Sequence, residues 1–153
     1  MTRISTGDAK VDTLIALARC AHIYDRHLEK KLAKYHVNRT EYYVLDVLKE
    51  NGGTMKLSEL KDWLQIARHT LTLVMNSLEE KGLIERKLCS ADRRSLQIYL
   101  KRKGQQCIER IIQDRQVITY KLMSTINMEE TKAMNENLEL LRLSLLKDAQ
   151  IVS

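Results

Sequence analysis

"LSELKDWLQIARHTLTLVMNSLEEKG", Leu57 to Gly82, runs directly into "LIERKLCSADRRSLQIYLKRKG", Leu83 to Gly104, and the fold turns on these two halves. The first half reads as a short helix capped by Ser58 and ending near Leu64, a tight turn, and a longer helix from about Ala67 to Lys81 that Gly82 terminates. In the longer helix Leu71, Val74, Met75 and Leu78 fall at steps of three and four, so one face points into a core. In the second half Leu96, Ile98 and Leu100 alternate with Ser95, Gln97 and Tyr99, the period of a half-buried strand. With "LIERKL" before it, this strand makes a hairpin around "CSADRR".

The outward face of the longer helix follows from its inward one. It carries His69, Thr72, Leu73 and Asn76, with Arg68 and Thr70 near the helix N-terminus. Side chains that donate, accept or touch a methyl group are what a helix reading the major groove of double-stranded DNA needs. An ordinary helical hairpin with a solvated outer face is the alternative, and Leu73 counts against it, because a solvated face gains little from a leucine. Arg93 and Arg94 at the hairpin tip are either part of a solvated turn or cations aimed at a polyanion. Their place directly after such a helix favours the second. Asp92 would be repelled by phosphate and reads as the acid that holds an arginine in pose.

Outward from the centre, long helical patterns flank this unit. From about Asp8 to Tyr35 an apolar stripe of Val11, Leu14, Ala18, Ala21, Leu28 and Leu32 is interrupted only by Asp25. Asn38 precedes Glu41 by three, a capping-box spacing that opens a helix to about Glu50, and "NGG" closes it before a brief extended piece. Gly104 precedes a further long helix bearing Ile108, Ile111, Ile112, Ile118, Leu122 and Ile126. Asn127 and Glu130 then open a last helix whose leucines, from Leu138 to Leu146, cover more than one face. Helices this long and apolar call for another chain to cover them, and the pattern predicts a homodimer. The expected fold is mainly α with a small β-hairpin, an α+β chain forming one compact domain. Residues 1–36 are its first dimerisation helix, 37–104 the central unit and 105–153 the last dimerisation helices.

The whole-chain balance agrees. Its 153 residues are 44% hydrophobic and 30% charged, with no proline and five glycines, which fits a folded, helix-rich protein. The formal charge is +6. Residues 54–104 hold eleven Lys/Arg against six Asp/Glu, whereas 1–53 hold nine against seven and 105–153 six against seven. The positive excess therefore sits beside the two arginines. There is no signal-peptide pattern and no run of membrane-spanning length. Cys20, Cys89 and Cys107 are odd in number and far apart, which fits a reducing cytoplasm and neither a zinc site nor a disulfide framework.

Leu57 to Gly104 resembles the DNA-binding region of the MarR family of bacterial transcription regulators. The resemblance is carried by Leu78-Glu79, Gly82-Leu83-Ile84, Arg86, Asp92-Arg93-Arg94 and the strand leading to Lys103-Gly104, and more loosely by the order of the flanking helices. It implies a winged helix-turn-helix with long N- and C-terminal dimerisation helices, in which two reading helices enter successive major grooves about 10 base pairs apart. The wing would follow the phosphate backbone with Arg93 or Arg94 entering the minor groove, supported by Asp92 and Arg86. Leu73 stands where many members carry a polar or basic residue, so contact with a thymine methyl replaces a charged one. Lys101 stands in place of the usual threonine.

Members of this family respond to a small-molecule effector or to cysteine oxidation. Cys20, with Tyr24 one turn on, is the sensor candidate, set against the plainer reading of a small buried apolar residue. Tyr24, Tyr35, Tyr42 and Tyr43 either line an effector pocket or pack in the core. His22, His27 and His36 do not have the spacing of a helical metal pair, and no metal or cofactor is expected. With no phosphate loop or nucleophile elbow, the sequence does not read as an enzyme. The rival to a DNA-binding repressor is a helical protein-interaction module whose winged helix docks a protein partner.

Overall fold

The computed structural model describes residues 5–88 and 95–152, with side chains to residue 149. The chain runs α1 (Ala9–Leu32), a short 3-10 turn (Ala33–Tyr35), α2 (Arg39–Glu50), β1 (Thr54–Lys56), α3 (Leu57–Leu64), α4 (Arg68–Glu80), β2 (Ile84–Leu88), β3 (Leu96–Leu100), α5 (Arg102–Leu122) and α6 (Met128–Val152). It divides within α5 into two units, one ending at Ile112 and the other beginning at Gln113. The architecture is mainly α with a winged helix-turn-helix at its centre.

In the first unit the apolar faces of α2, α3 and α4 meet over the small sheet. Tyr42, Leu45, Leu48, Leu60, Met75, Leu78, Ile98 and Ile108 are essentially inaccessible. The helix stripe of Leu71, Val74, Met75 and Leu78 is buried as its spacing requires. Helix α2 starts in a reciprocal cap: the Glu41 N–H donates to Asn38 Oδ1 at 2.9 Å and the Asn38 N–H to Glu41 Oε2 at 2.8 Å. It ends where Gly52 and Gly53 take φ of 73° and 85°, which a side chain would strain.

The extended piece after them is a third strand. Residues Thr54–Lys56 pair antiparallel with Gln97–Tyr99, so the order is β1-β3-β2 and β3 is central. On the other side β2 pairs with β3 from Ile84 opposite Leu100 to Leu88 opposite Leu96. The Gln97 amide donates to Thr54 Oγ1 at 2.8 Å and reinforces the first pairing.

Two boundaries differ from the sequence-based expectation. Helix α3 is capped at Lys56, whose N–H donates to Glu59 Oε2 at 3.0 Å, and Ser58 lies exposed inside its first turn. Strand β1 feeds straight into α3, which leaves no loop for Ser58 to cap. Helix α5 begins at Arg102, and Gly104 is buried within it rather than preceding it. A Cβ at Gly104 would stand 2.1 Å from the Leu83 carbonyl oxygen, so this glycine permits a close approach.

In α1 only Leu28 and Leu32 are buried, while Val11 and Leu14 are exposed. In the second unit, α6 opens with the expected cap, Asn127 and Glu130 exchanging two hydrogen bonds of 2.9 Å. None of its described side chains is buried. Val117, Tyr120, Leu140, Leu143 and Leu145 all lie exposed. No helix among the described residues is long and apolar enough to cross a membrane.

Candidate nucleic-acid interface

The turn from α3 to α4 is made by Gln65, Ile66 and Ala67, with Gln65 in the left-handed region at φ 50°. It sets α4 with its core stripe inward and Arg68, His69, Thr72, Leu73 and Asn76 exposed; Thr70 is half-buried. Leu73 is 66% exposed, a large apolar side chain held in solvent on a face otherwise made of donors and acceptors. The Thr72 hydroxyl donates to the Arg68 carbonyl at 3.0 Å, leaving its oxygen lone pairs outward. Thr70 Oγ1 lies 3.3 Å from His69 Nε2.

The N-terminus of α4 carries no side-chain cap and no acid in its first turn. Its free N–H groups and dipole therefore favour an approaching anion. Beside it lies a cleft of about 530 Å³ between α3, α4 and the root of the hairpin. Lys61, Arg68 and Arg86 bring three cations to its walls, Ser58, Thr72 and Ser95 bring hydroxyls, and among the described residues no acid lines it. Ser58 and Lys61 were not placed at this site by the sequence reading. Their spacing of three, which puts both on one face of α3, is the signal that would have found them.

Arg86 belongs to β2 and is tied to α4. Its Nε donates to Glu79 Oε2 at 2.9 Å, its Nη2 donates to the same oxygen, and its backbone N–H donates to Glu79 Oε1 at 3.2 Å. These hydrogen bonds from Arg86 hold the Glu79 carboxyl below its ordinary range. Thus the strand that leads into the wing is bolted to the helix that carries the outward face. Cys89, Asp92, Arg93 and Arg94 lie outside the described residues.

The sensor candidates are spread out. Cys20 is exposed, which removes the buried-apolar reading within one chain, and Tyr24 is exposed too. Tyr42 is buried in the core with its hydroxyl donating to Asp46 Oδ2 at 3.2 Å, so it lines no open pocket. Tyr43 packs on it with ring centroids 5.2 Å apart, and burial followed by the nearby Asp25 charge pushes its hydroxyl up. Asp25, the acid that interrupts the stripe of α1, is paired with Arg39 at the start of α2. Burial likewise pushes the Cys107 thiol up, away from the reactive thiolate. Among the described residues no three His, Cys, Asp or Glu side chains are grouped to hold a metal.

Comparison with known proteins points one way. Residues 37–96 match the family model of the MarR family. The HTH-type transcriptional regulator MhqR of Bacillus subtilis is 29% identical over 125 residues, covering 82% of this chain and 86% of that protein. A MarR protein from Peptoclostridium difficile superposes with a TM-score of 0.84 at 19% identity, over 100% of this chain and 98% of its own. S. aureus MepR, solved as a DNA complex, superposes with a TM-score of 0.74 at 22% identity, covering 85% of this chain and 94% of that one.

Proposed function

We propose that the chain, whose residues 37–96 match the MarR family model, is a dimeric, sequence-specific DNA-binding regulator of that family. It acts as a repressor in the cytoplasm, occupying a near-palindromic operator until a small-molecule or redox signal releases it. The observation that carries this is the outward face of α4. From Arg68 to Ser77 it holds no acid, and its exposed Arg68, His69, Thr72, Leu73 and Asn76 adjoin a cleft walled by three cations. Such a surface suits a groove edged by phosphates, with base edges and a thymine methyl at its floor. Arg93 and Arg94 of the wing would add backbone and minor-groove contacts, with Asp92 and Arg86 as their support. The role requires no catalytic step and no cofactor.

The exposed Val11 and Leu14 of α1, and Leu140, Leu143 and Leu145 of α6, support a second copy as the other half of the protein. A protein-docking role for the winged helix has less behind it, since a partner helix or strand would find on α4 a single exposed leucine among polar groups.

Selecting bound fragments from the source genome with the purified protein tests the reading. One enriched near-palindrome is expected, and featureless enrichment would refute sequence-specific regulation. On that site Arg94→Ala weakens binding and lowers the log–log salt slope by about 0.9 for each phosphate that is no longer neutralised. Changes at His69 or Asn76 alter which sequence is preferred.

A further inference from the structure

Glu41 does more than cap α2. It is 1% exposed, the one buried charged side chain among the described residues. A capping glutamate is ordinarily a surface group, and burying a carboxylate is unfavourable unless its oxygens are fully used. Here they are. Oε2 accepts from the Asn38 N–H at 2.8 Å and from Lys81 Nζ at 2.7 Å. Oε1 accepts from the Ser77 hydroxyl and from Lys81 Nζ, both at 2.6 Å. Burial pushes this carboxyl up, but the bonds from Lys81, Ser77 and Asn38 outweigh it and leave it below its ordinary value. Glu41 therefore stays ionised.

Ser77 and Lys81 are the last turn and C-cap of α4. The same turn is held elsewhere: Glu79 grips Arg86 of β2, and the Lys81 carbonyl accepts from Lys103 Nζ of α5 at 2.7 Å. The core contacts of Leu71, Val74, Met75 and Leu78 hold α4 against the sheet but are non-directional. Bonds to a charged carboxylate are short and directional. A rotation of roughly 20° about the axis of a helix about 10–12 Å across moves a side-chain tip by roughly 2 Å, enough to undo a hydrogen bond to a base edge.

We propose that Glu41 is a positioning residue for DNA reading: through Ser77 and Lys81 it fixes the rotation of α4, so that His69, Thr72, Leu73 and Asn76 meet the base edges together. This role presupposes the DNA-reading part given to α4 above. It concerns a residue on another helix, facing away from any DNA.

The test uses the full chain and the site selected from the genome. Affinities for that site and for a scrambled duplex are measured for wild type, Glu41→Gln, Ser77→Ala, Lys81→Met and Lys81→Arg, with a thermal melt of each. Folded Glu41→Gln is expected to fall about tenfold in the specific-to-scrambled ratio, the scale of one mismatched base pair, with its scrambled-DNA affinity and salt slope unchanged. Ser77→Ala falls severalfold, and Lys81→Arg keeps more of the ratio than Lys81→Met. A merely structural role lowers the melting temperature and leaves the ratio alone. An unchanged ratio in folded Glu41→Gln overturns the positioning role and leaves the regulator standing. Should Glu41→Gln not fold, Ser77→Ala decides on the same criterion. Wild type that selects no fragment overturns both.

Discussion

At Gly104 helix α5 passes so close to the turn after α4 that an added methyl would meet the Leu83 carbonyl oxygen at 2.1 Å and Leu100 Cδ1 at 2.8 Å. The Leu100 side chain can turn aside. The carbonyl cannot, because it accepts the Lys101 N–H at 2.9 Å and its position fixes how β3 turns into α5. Gly104→Ala is therefore expected to cost about 2 kcal/mol through a forced backbone shift, although alanine is the better helix former. A thermal melt should show a fall of roughly 5 °C, and an unchanged or raised melting temperature would mean the helix simply moves aside. Sequence alone presents a glycine near a helix boundary and suggests a helix start. What it lacks is the partner carbonyl at Leu83, so the reason for the glycine is visible only in three dimensions. Ser58 teaches the same at α3: a good capping residue caps nothing when a strand leads straight into the helix.

Helix α4 shows where sequence reading reaches and where it stops. Its buried stripe and exposed face were legible, because a period of 3.6 residues is a local property that the chain cannot hide. The attachments of its last turn were not. Glu41 lies 36 residues from Ser77 and 40 from Lys81, and Asn38-Glu41 reads in sequence as a cap alone. These attachments have a pH signature. Glu41 and Glu79 both have folded values below the ordinary 4.5, so the stability they contribute is fully present above that value. It is lost as pH falls through the lower folded values. Melting temperature should accordingly be flat from neutral pH to about 5 and drop below that. The gap between wild type and Glu41→Gln should narrow over the same acid range, since protonated Glu41 is a near match for glutamine. A gap that stays constant down to about pH 3 would mean that the charge of Glu41 contributes nothing.

For the molecule as a whole, the apolar surface left open by α6 is larger than one chain can explain. Leu140 is 65% exposed and Leu145 57%, on a helix with no buried side chain described. A chain of this kind in water covers such a face with a second copy, which the density of leucines already makes legible in the sequence. Leu140→Glu with Leu145→Glu is expected to turn a dimer into a monomer in sedimentation. It should also abolish the concentration dependence of the melting temperature expected of a dimer. A dimer that survives both charges would move the interface elsewhere. The wing tip at Arg93 and Arg94, plain in the sequence, lies outside the described residues, so its part rests on the binding experiments. The layout of α4 also bears on how such a protein changes over generations. Its anchoring side chains, Ser77, Glu79 and Lys81, are grouped in the last turn and C-cap, while the exposed residues from Arg68 to Asn76 lie outside the packed core. On the DNA-reading part proposed for α4, drift at His69, Leu73 or Asn76 would redirect the protein to a new stretch of genome without eroding the scaffold. Target choice and folding are thus free to evolve separately along a single thirteen-residue helix.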